Sequence, residues 1–254
     1  MEEPYFLINS TVRTLKILEY LSKTKEASVS EVSSYLNVNK STAHRFLASM
    51  KHVGFVDQNS ENQKYKLSLK VFEIGNRVVE GLNLREIAKP VMHELSDLTG
   101  ETVNLGIIDN YDVVYIEKVL SKNTLRQDCP IGGRDKIHAT ALGKAMIAFK
   151  PSEYVEKYVE KKGLIKVTER TITETEAFYT ELRNIRKNGY SIDSEETMIG
   201  LSCIAAPIFN NENKAIAAIS ISSPTNRLGQ RNIEMFKDEI IKASQIISSQ
   251  MGAK

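Results

Sequence analysis

Apolar residues in the first part of the chain recur at helical spacing in three segments. The first segment predicts a helix from Thr11 to about Thr24, capped by Ser10. Its expected buried face consists of Val12, Leu15, Leu18 and Leu21. Ser28 and Glu31 then form the Ser-x-x-Glu pattern of a capping box, which predicts the start of a second helix. A polar break at 37–39 separates this helix from a third one.

The third helix is predicted to run from Lys40 to Val53, with Asn39 as its N-cap and Gly54 closing it. Its apolar face contains Ala43, Phe46, Leu47, Met50 and Val53. The opposite face is short and polar, and such a face fits the floor of a DNA major groove. Two short strands, 55–56 and 65–67, flank a polar turn at 57–63, which would be the wing of a winged helix-turn-helix.

Positive charge is concentrated on this part of the chain. The whole sequence has a net charge of only +2, but residues 37–70 contain six lysines and arginines against two acidic residues. Such a local excess favours contacts with DNA phosphates. We predict groove contacts from Ser41, Thr42, His44 and Arg45, and phosphate contacts from Lys40, Lys64 and Lys66. The alternative is an amphipathic pair of helices without a nucleic-acid partner.

The remaining chain mixes helix and strand patterns without the regular alternation of a parallel sheet. A linker helix is predicted over 69–82, followed by a helix over 84–100 in which Pro90 should cause a kink or a split. Two hairpins are predicted, 102–108 with 113–119 and 202–209 with 215–223, and further helices are expected from His138, from Ser152, over 173–188 and over 233–251.

These patterns indicate an α+β second domain around a largely antiparallel sheet. The predicted organisation is therefore a DNA-binding domain over 1–68, a linker helix over 69–83 and a second domain over 84–254.

Composition narrows the class of protein further. No apolar run is long enough to cross a membrane, and the acidic N-terminal stretch lacks the basic residues of an export signal. The two cysteines, Cys129 and Cys203, lie far apart and have no histidine at metal-ligand spacing. We therefore expect a cytoplasmic protein with no membrane partner, metal site, disulfide or cofactor.

A set of longer motifs runs through both domains. The first domain contains LNVNKSTAHRFLASMKHVGFV, and the second contains, in order, TGETVNL, HATALGKAMIA, GYSIDSEETMIGLSCIAAPIF and AAISISSP. With these motifs, essentially the whole chain resembles the IclR family of bacterial transcriptional regulators. The resemblance implies a winged helix-turn-helix that a linker helix joins to a ligand-sensing domain similar to GAF and PAS folds. Members act as dimers or tetramers, and most repress transcription until a small metabolite binds.

The same resemblance implies an effector site in the second domain. The positions that match the family's ligand-contacting residues are Asp193, Cys203, Ser220 and Ser222. The backbone at Thr140, Ala141 and Leu142 matches the segment that receives the anionic end of the ligand. Ala141 and Leu142 are bulkier than the Gly or Ser of members that sense the smallest acids, which disfavours effectors as small as glyoxylate or pyruvate.

The residues themselves support part of this assignment. Ser220 and Ser222 alternate with two isoleucines, so both hydroxyls lie on one face of a strand, although a strand with a solvated polar face has the same pattern. A helix that begins after His138 would offer free N–H groups to a carboxylate. Asp193 would repel a carboxylate and should instead accept a hydrogen bond from a ligand hydroxyl, which favours hydroxy, sugar or phenolic acids.

The sequence thus predicts a sequence-specific DNA-binding regulator, most simply a repressor, that a small organic acid controls. It is expected to bind a pseudo-palindromic operator as a homodimer or homotetramer, with half-sites about one helical turn apart or a multiple of it. Two alternatives stay open. The second domain could serve only for oligomerisation, or the protein could be a thiol enzyme that uses Cys203 with His138 or His93 as its base.

Overall fold

The chain divides into two structural units, one over residues 1–81 and the other over 82–254. The computed structural model of the protein describes residues 7–80, 84–123, 129–227 and 230–253. One hydrophobic core lies in the first unit and two lie in the second. The finer boundaries expected from the sequence, 1–68, 69–83 and 84–254, stay a prediction.

Three helices and a hairpin build the core of the first unit. They are α1 (Asn9–Thr24), α2 (Val29–Leu36), α3 (Lys40–His52), β1 (Val56–Gln58) and β2 (Tyr65–Leu67). The two strands pair in antiparallel register. The side chains that they enclose include Ile17, Leu21, Val32, Ala43, Leu47, Met50, Val56 and Tyr65. This arrangement is the predicted winged helix-turn-helix.

Two local caps set the turn between α2 and α3. The Ser28 hydroxyl accepts the Glu31 amide at 3.3 Å, and the Glu31 carboxylate accepts the Ser28 amide at 2.7 Å. Asn39 caps α3 by accepting the Thr42 amide at 2.8 Å. Between them Asn37 has a left-handed backbone with φ 51°, which asparagine tolerates better than most residues. The predicted capping box and the predicted Asn39 cap are both confirmed.

The prediction for α1 is wrong in two respects. The helix begins at Asn9 without a side-chain cap, so Ser10 lies inside it, and its carbonyl accepts the Thr14 hydroxyl at 2.9 Å. Its buried face is formed by Ile17 and Leu21, whereas Leu15 is 55% exposed. The reason is geometric, because a strict three-residue repeat drifts by about 60° per step on a helix that turns by about 100° per residue.

A fourth helix, α4 (Leu69–Glu80), begins where the linker helix is predicted. It presents apolar side chains to solvent, since Leu69 is 78% and Phe72 is 68% exposed. The predicted end of the helix at Leu82, and Asn83 as a cap for the next one, lie outside the described residues.

The second unit is an α+β domain around six antiparallel strands in the order β5-β4-β3-β8-β7-β6. In chain order its elements are α5 (Leu84–Thr99), β3 (Thr102–Asp109), β4 (Asp112–Val119), β5 (Arg134–Lys136), α6 (Ala141–Ile147), α7 (Ser152–Lys162), α8 (Thr175–Asn188), β6 (Ser191–Ser194), β7 (Leu201–Phe209), β8 (Ala215–Pro224) and α9 (Gln230–Gln250). Both predicted hairpins, β3 with β4 and β7 with β8, are confirmed.

Alternation along the strands gives this sheet a core on each face. Ile204, Ile219 and Ile221 point towards α5 and α9, whereas Cys203, Ala205 and Ala218 point towards α6, α7 and α8. The side of the sheet that faces α6 is therefore the side on which Ser220 and Ser222 lie. None of the helices in the described ranges combines the length and the apolar character needed to span a membrane.

Two helix predictions are met only in part: α5 shows no split at Pro90, and another helix begins later than expected. α5 runs through Pro90 without a split, because its apolar face, including Leu84, Ala88 and Leu95, is buried against the core and holds the helix across the missing hydrogen bond. The helix expected from His138 begins only at Ala141, where Thr140 is the N-cap. His138 instead lies buried in the preceding turn.

Candidate functional sites

The exposed side of α3 carries the predicted groove residues. Ser41, His44 and Arg45 are exposed, Thr42 is half-buried, and Lys40 is exposed at the first helical position. The Ser41 hydroxyl donates to Asn39 Oδ1 at 2.9 Å and so takes part in the cap. Of the exposed side chains in the middle of the helix, His44 and Arg45 have the length to reach a base edge.

The two candidate lysines of the wing differ in their surroundings. Lys66 lies on β2 with an exposed side chain. Lys64 lies at the end of the wing turn, with its Nζ 3.6 Å from Glu26 Oε1. Glu26 also accepts a hydrogen bond from Asn62 Nδ2 at 3.2 Å. A phosphate would have to compete with Glu26 for Lys64, whereas the side chain of Lys66 already faces solvent.

In the second unit, strand register brings a row of polar side chains together on the sheet face below α6. Asp193 pairs with Cys203, and Cys203 pairs with Ser222. Ser220 pairs with Ala205 on one side and with Asn104 of β3 on the other. Ser220 and Ser222 are each only 2% exposed, so the alternative of a solvated polar face is wrong.

These residues enclose a small cavity between the sheet and the start of α6. It is lined by Tyr115, Thr140, Ala141, Leu142, Asp193, Thr197, Cys203, Ser220 and Ser222. All seven residues predicted from the sequence therefore meet at one place. Tyr115 and Thr197 were not among them, because Tyr115 lies next to a β-bulge at Ile116 of β4 and Thr197 lies in a loop without periodicity. The enclosed volume is about 10 Å³, which is room for about one water molecule.

Asp193 is engaged by the loop that follows it. One of its carboxylate oxygens accepts the amides of Glu196 at 2.7 Å and Thr197 at 3.3 Å, and the other lies 2.6 Å from the Thr197 hydroxyl. Burial raises the pKa of Asp193, while these hydrogen bonds and the nearby Lys144 ammonium oppose that rise. Asp193 thus anchors the loop over 195–200 and keeps only part of its acceptor capacity for a ligand.

The start of α6 is shaped by a cap. The Thr140 hydroxyl accepts the Gly143 amide at 3.1 Å. The amides of Ala141 and Leu142 are the first two of the helix and have no carbonyl partner within it. They remain the groups at this end of the cavity that could donate to an anion.

Lys144 is a functional candidate that the sequence did not single out. It is 0% exposed, and its Nζ lies 2.5 Å from Glu196 Oε1 and 3.3 Å from Glu181 Oε1. Burial raises the pKa of the Glu196 carboxyl, and the Lys144 ammonium group lowers it. The effect of burial is larger, so the pKa of Glu196 is raised to about 7. The pair ties α6 to the loop that Asp193 anchors.

Cys203 lacks the surroundings of a nucleophile. Burial raises the pKa of its thiol far above the usual range. Its Sγ donates to Ser222 Oγ at 3.1 Å. The two ring nitrogens of His138 lie 2.6 Å from Tyr158 Oη and 2.9 Å from the Ile165 carbonyl oxygen, so this histidine is committed elsewhere.

Comparison with known proteins assigns the chain to a family. The model "IclR helix-turn-helix domain" matches residues 10–60, and the model "Bacterial transcriptional regulator IclR C-terminal" matches residues 76–249. The chain belongs to the IclR family. It is thus a bacterial transcriptional regulator with a DNA-binding helix-turn-helix, and the resemblance noted in the sequence is confirmed.

Individual IclR-family proteins are similar over almost their whole length. HTH-type transcriptional regulator KdgR of Escherichia coli (strain K12) is 39% identical, over 96% of this chain and 93% of that protein. Transcriptional repressor IclR of the same organism is 33% identical, over 96% and 90%. These relatives are regulators rather than enzymes, and the thiol-enzyme alternative is therefore wrong.

Solved structures share the fold. The IclR of Thermotoga maritima superimposes with a TM-score of 0.84 at 30% identity, over 97% of this chain and all of that one. An IclR homologue from Microbacterium hydrocarbonoxydans, complexed with 4-hydroxybenzoate, gives a TM-score of 0.84 over 95% of this chain and 97% of that one. At 24% identity, this second likeness concerns the fold alone.

Proposed function

We propose that this protein is a sequence-specific transcriptional repressor whose hold on DNA is released by a small organic acid bound in the second unit. The observation that carries the proposal is the buried cavity under α6. Six of its nine lining residues carry hydroxyl or carboxyl groups and lie in a site shielded from water: Tyr115, Thr140, Asp193, Thr197, Ser220 and Ser222. Buried polar groups cost free energy unless they find partners. A domain that served only for oligomerisation would not need such a site.

The chemistry of the lining indicates the class of effector. The carboxylate of an acid would accept from the amides of Ala141 and Leu142 and from the serine hydroxyls. A ligand hydroxyl at the other end would donate to the remaining acceptor capacity of Asp193. Hydroxy, sugar and phenolic acids combine these two groups. Because the cavity holds only about one water molecule, the loop over 195–200 has to move before such a ligand enters.

We further infer that the repressor acts in the cytoplasm as a homodimer or homotetramer on a pseudo-palindromic operator. One helix-turn-helix contacts too few base pairs to select a single site in a genome, and two-fold symmetry doubles the sequence that is recognised. The exposed Leu69 and Phe72 on α4 support subunit contact in the linker region, because apolar side chains on one helix favour association. Half-sites about one helical turn apart, or a multiple of it, would fit such a dimer.

For DNA recognition we expect Arg45→Ala to weaken operator binding by about 1–3 kcal/mol and to relax base preference, because arginine binds guanine through two hydrogen bonds. Lys66→Ala should weaken binding to all DNA sequences equally, because it removes a phosphate contact. It should also reduce the slope of log affinity against log salt concentration by about one unit. DNA selected from a random pool with the parent protein would supply the operator for gel shifts. Lys16→Ala, on the exposed side of α1, is the control, and unchanged affinity of Arg45→Ala would remove α3 from the proposed interface.

For the effector we expect Asp193→Ala to weaken binding of the acid roughly tenfold to a hundredfold, because a buried polar contact contributes about 1–3 kcal/mol. Operator affinity without effector should stay unchanged, since Asp193 lies in the second unit. Calorimetry with hydroxy, sugar and phenolic acids measures the first effect, and gel shifts measure the second. Ser194→Ala, an exposed neighbour, is the matched control. Equal affinities of Asp193→Ala and the parent for the acid would contradict this assignment of the cavity.

A further inference from the structure

The hydroxyl of Ser222 receives two hydrogen bonds from within the protein. Asn104 Nδ2 donates to Ser222 Oγ at 3.1 Å, and Cys203 Sγ donates to the same oxygen at 3.1 Å. Burial keeps the Cys203 thiol protonated by raising its pKa, so this group remains a donor. A serine oxygen has two lone pairs and one proton. Both lone pairs are therefore in use, and the Ser222 proton must point elsewhere.

The orientation of the Asn104 amide follows from its surroundings. Asn104 is 1% exposed, and its Oδ1 is buried without a hydrogen-bond partner among the described residues. In this orientation the buried Nδ2 group has its partner in Ser222, and the group left without one is the carbonyl oxygen. A buried carbonyl oxygen without a partner is less rare in proteins than a buried N–H without one. The amide that donates to Ser222 is thus the favoured arrangement.

The hydroxyl proton of Ser222 can point into the cavity under α6. Ser222 lines the cavity under α6 together with Ser220 and Thr140. No described residue accepts a hydrogen bond from Ser222 Oγ, whose contacts with Asn104 and Cys203 are both incoming. An oxygen atom with a negative charge, placed in the cavity, would be the natural acceptor.

We propose that Asn104 is a positioning residue of the effector cavity, which fixes Ser222 as a hydrogen-bond donor and thereby selects a carboxylate over a neutral amide. This inference rests on the proposed function, because it assumes that the cavity receives the effector. Asn104 does not line the cavity itself and acts only through Ser222. It also explains why a polar side chain occupies a buried strand position at which its amide oxygen has no partner among the described residues.

The test uses the full-length protein, calorimetry and three pairs of probes: lactate with lactamide, gluconate with gluconamide, and 4-hydroxybenzoate with 4-hydroxybenzamide. The pair whose acid binds most tightly is used for all variants. Asn104→Leu should weaken binding of that acid about tenfold, since one charge-assisted hydrogen bond is no longer aligned. Binding of its amide should weaken only about threefold, because a hydrogen bond to a neutral carbonyl oxygen is roughly half as strong, so that the preference for the acid falls.

A double-mutant cycle separates positioning from a structural effect. In the Ser222→Ala background, Asn104→Leu should change the dissociation constant of the acid less than about twofold, because the group through which it acts is gone. Ser223→Ala is the matched control, since Ser223 is the next residue of β8, is 0% exposed and points to the opposite face. It should leave the acid-to-amide preference unchanged. Asn104→Ala replaces Asn104→Leu if the larger side chain prevents folding.

Two kinds of result would contradict the role proposed for Asn104. An unchanged acid-to-amide preference in Asn104→Leu, or the same loss with and without Ser222, overturns the positioning role while the proposed function stands. If none of the three acids binds the parent, the proposed effector class fails, and the role of Asn104 falls with it.

Discussion

Replacing Lys144 by methionine should lower the free energy of unfolding of the second unit by about 3–5 kcal/mol, the usual cost of breaking a buried ion pair from one side. The ammonium group is fully buried and lies 2.5 Å from Glu196 Oε1. Methionine fills the space but leaves the Glu196 carboxylate without its partner. The other oxygen of that carboxylate, Oε2, is already buried without a hydrogen bond to the described residues.

The loss should depend on pH. Burial raises the pKa of Glu196 to about 7 in the folded protein, against 4.5 for an ordinary glutamate. The folded state therefore binds the proton more tightly, and the contribution of Glu196 to stability falls as the pH rises through that window. A neutral Glu196 carboxyl is destabilised less by the loss of Lys144 than a charged one. The free energy of unfolding of the variant should therefore be closer to that of the parent at pH 6 than at pH 8.

Urea unfolding followed by circular dichroism, at both pH values, measures these differences. The double variant Lys144→Met, Glu196→Met should recover most of the lost stability, because apolar residues often replace a buried ion pair without cost. Lys122→Met is the control: Lys122 also makes a short ion pair, with Asp97 at 2.8 Å, but 90% of its side chain is exposed. Its removal should have no measurable effect. Equal unfolding midpoints for Lys144→Met and the parent would refute this account.

Gly143→Ala should also destabilise the second unit, by about 3 kcal/mol, the upper end of the range for an overpacked core. Alanine is normally the better helix former, by about 0.5–1 kcal/mol. Here a methyl group would lie 2.5 Å from Ile137 Cα and 2.7 Å from Thr140 Oγ1, and still closer to the Ile137 carbonyl oxygen. Backbone atoms in a buried turn cannot move aside, so the start of α6 would have to shift.

Gly75→Ala should have the opposite effect on the stability of the protein. Gly75 lies inside α4, and a methyl group there would meet no atom within 4 Å. This variant should be slightly stabilised, by roughly 0.5 kcal/mol, according to helix propensity alone. Calorimetric thermal unfolding of the full-length protein compares the two variants. Stabilisation by Gly143→Ala would mean that the close approach of Ile137 is not a real constraint.

Local features could be read from the sequence because neighbouring residues determine them. The capping box of Ser28 and Glu31 and the cap at Asn39 depend on side chains three positions from the backbone amides that they satisfy. The face of α1 could not be read in the same way. Val12, Leu15, Leu18 and Leu21 look like a stripe, but the core selects Ile17 and Leu21, which are four residues apart.

The cavity illustrates the same limit at longer range. Ser220 and Ser222 were predictable as a pair, because alternation on one strand is a local property. Their proximity to Asp193 and Thr140 was implied only by resemblance to a family. Tyr115, Thr197 and Lys144 carried no local signal, because their positions depend on strand register and on a loop that folds back over the sheet. The roles proposed for Arg45 and for the wing lysines likewise depend on a partner outside the chain.

The closed cavity has a further consequence for the dose at which such a regulator responds. A cavity of about 10 Å³ is too small for an organic acid. The ligand could therefore bind only to a less populated, open form of the protein. Apparent affinity is then the intrinsic affinity multiplied by the open fraction, so an open form present at about one part in a hundred raises the responsive concentration about a hundredfold. In the proposed switch, the responsive concentration would depend as much on the hydrogen bonds from Glu196 and Thr197 to Asp193 as on the groups that touch the ligand. Sensitivity could be retuned through that loop while the identity of the recognised molecule stays the same.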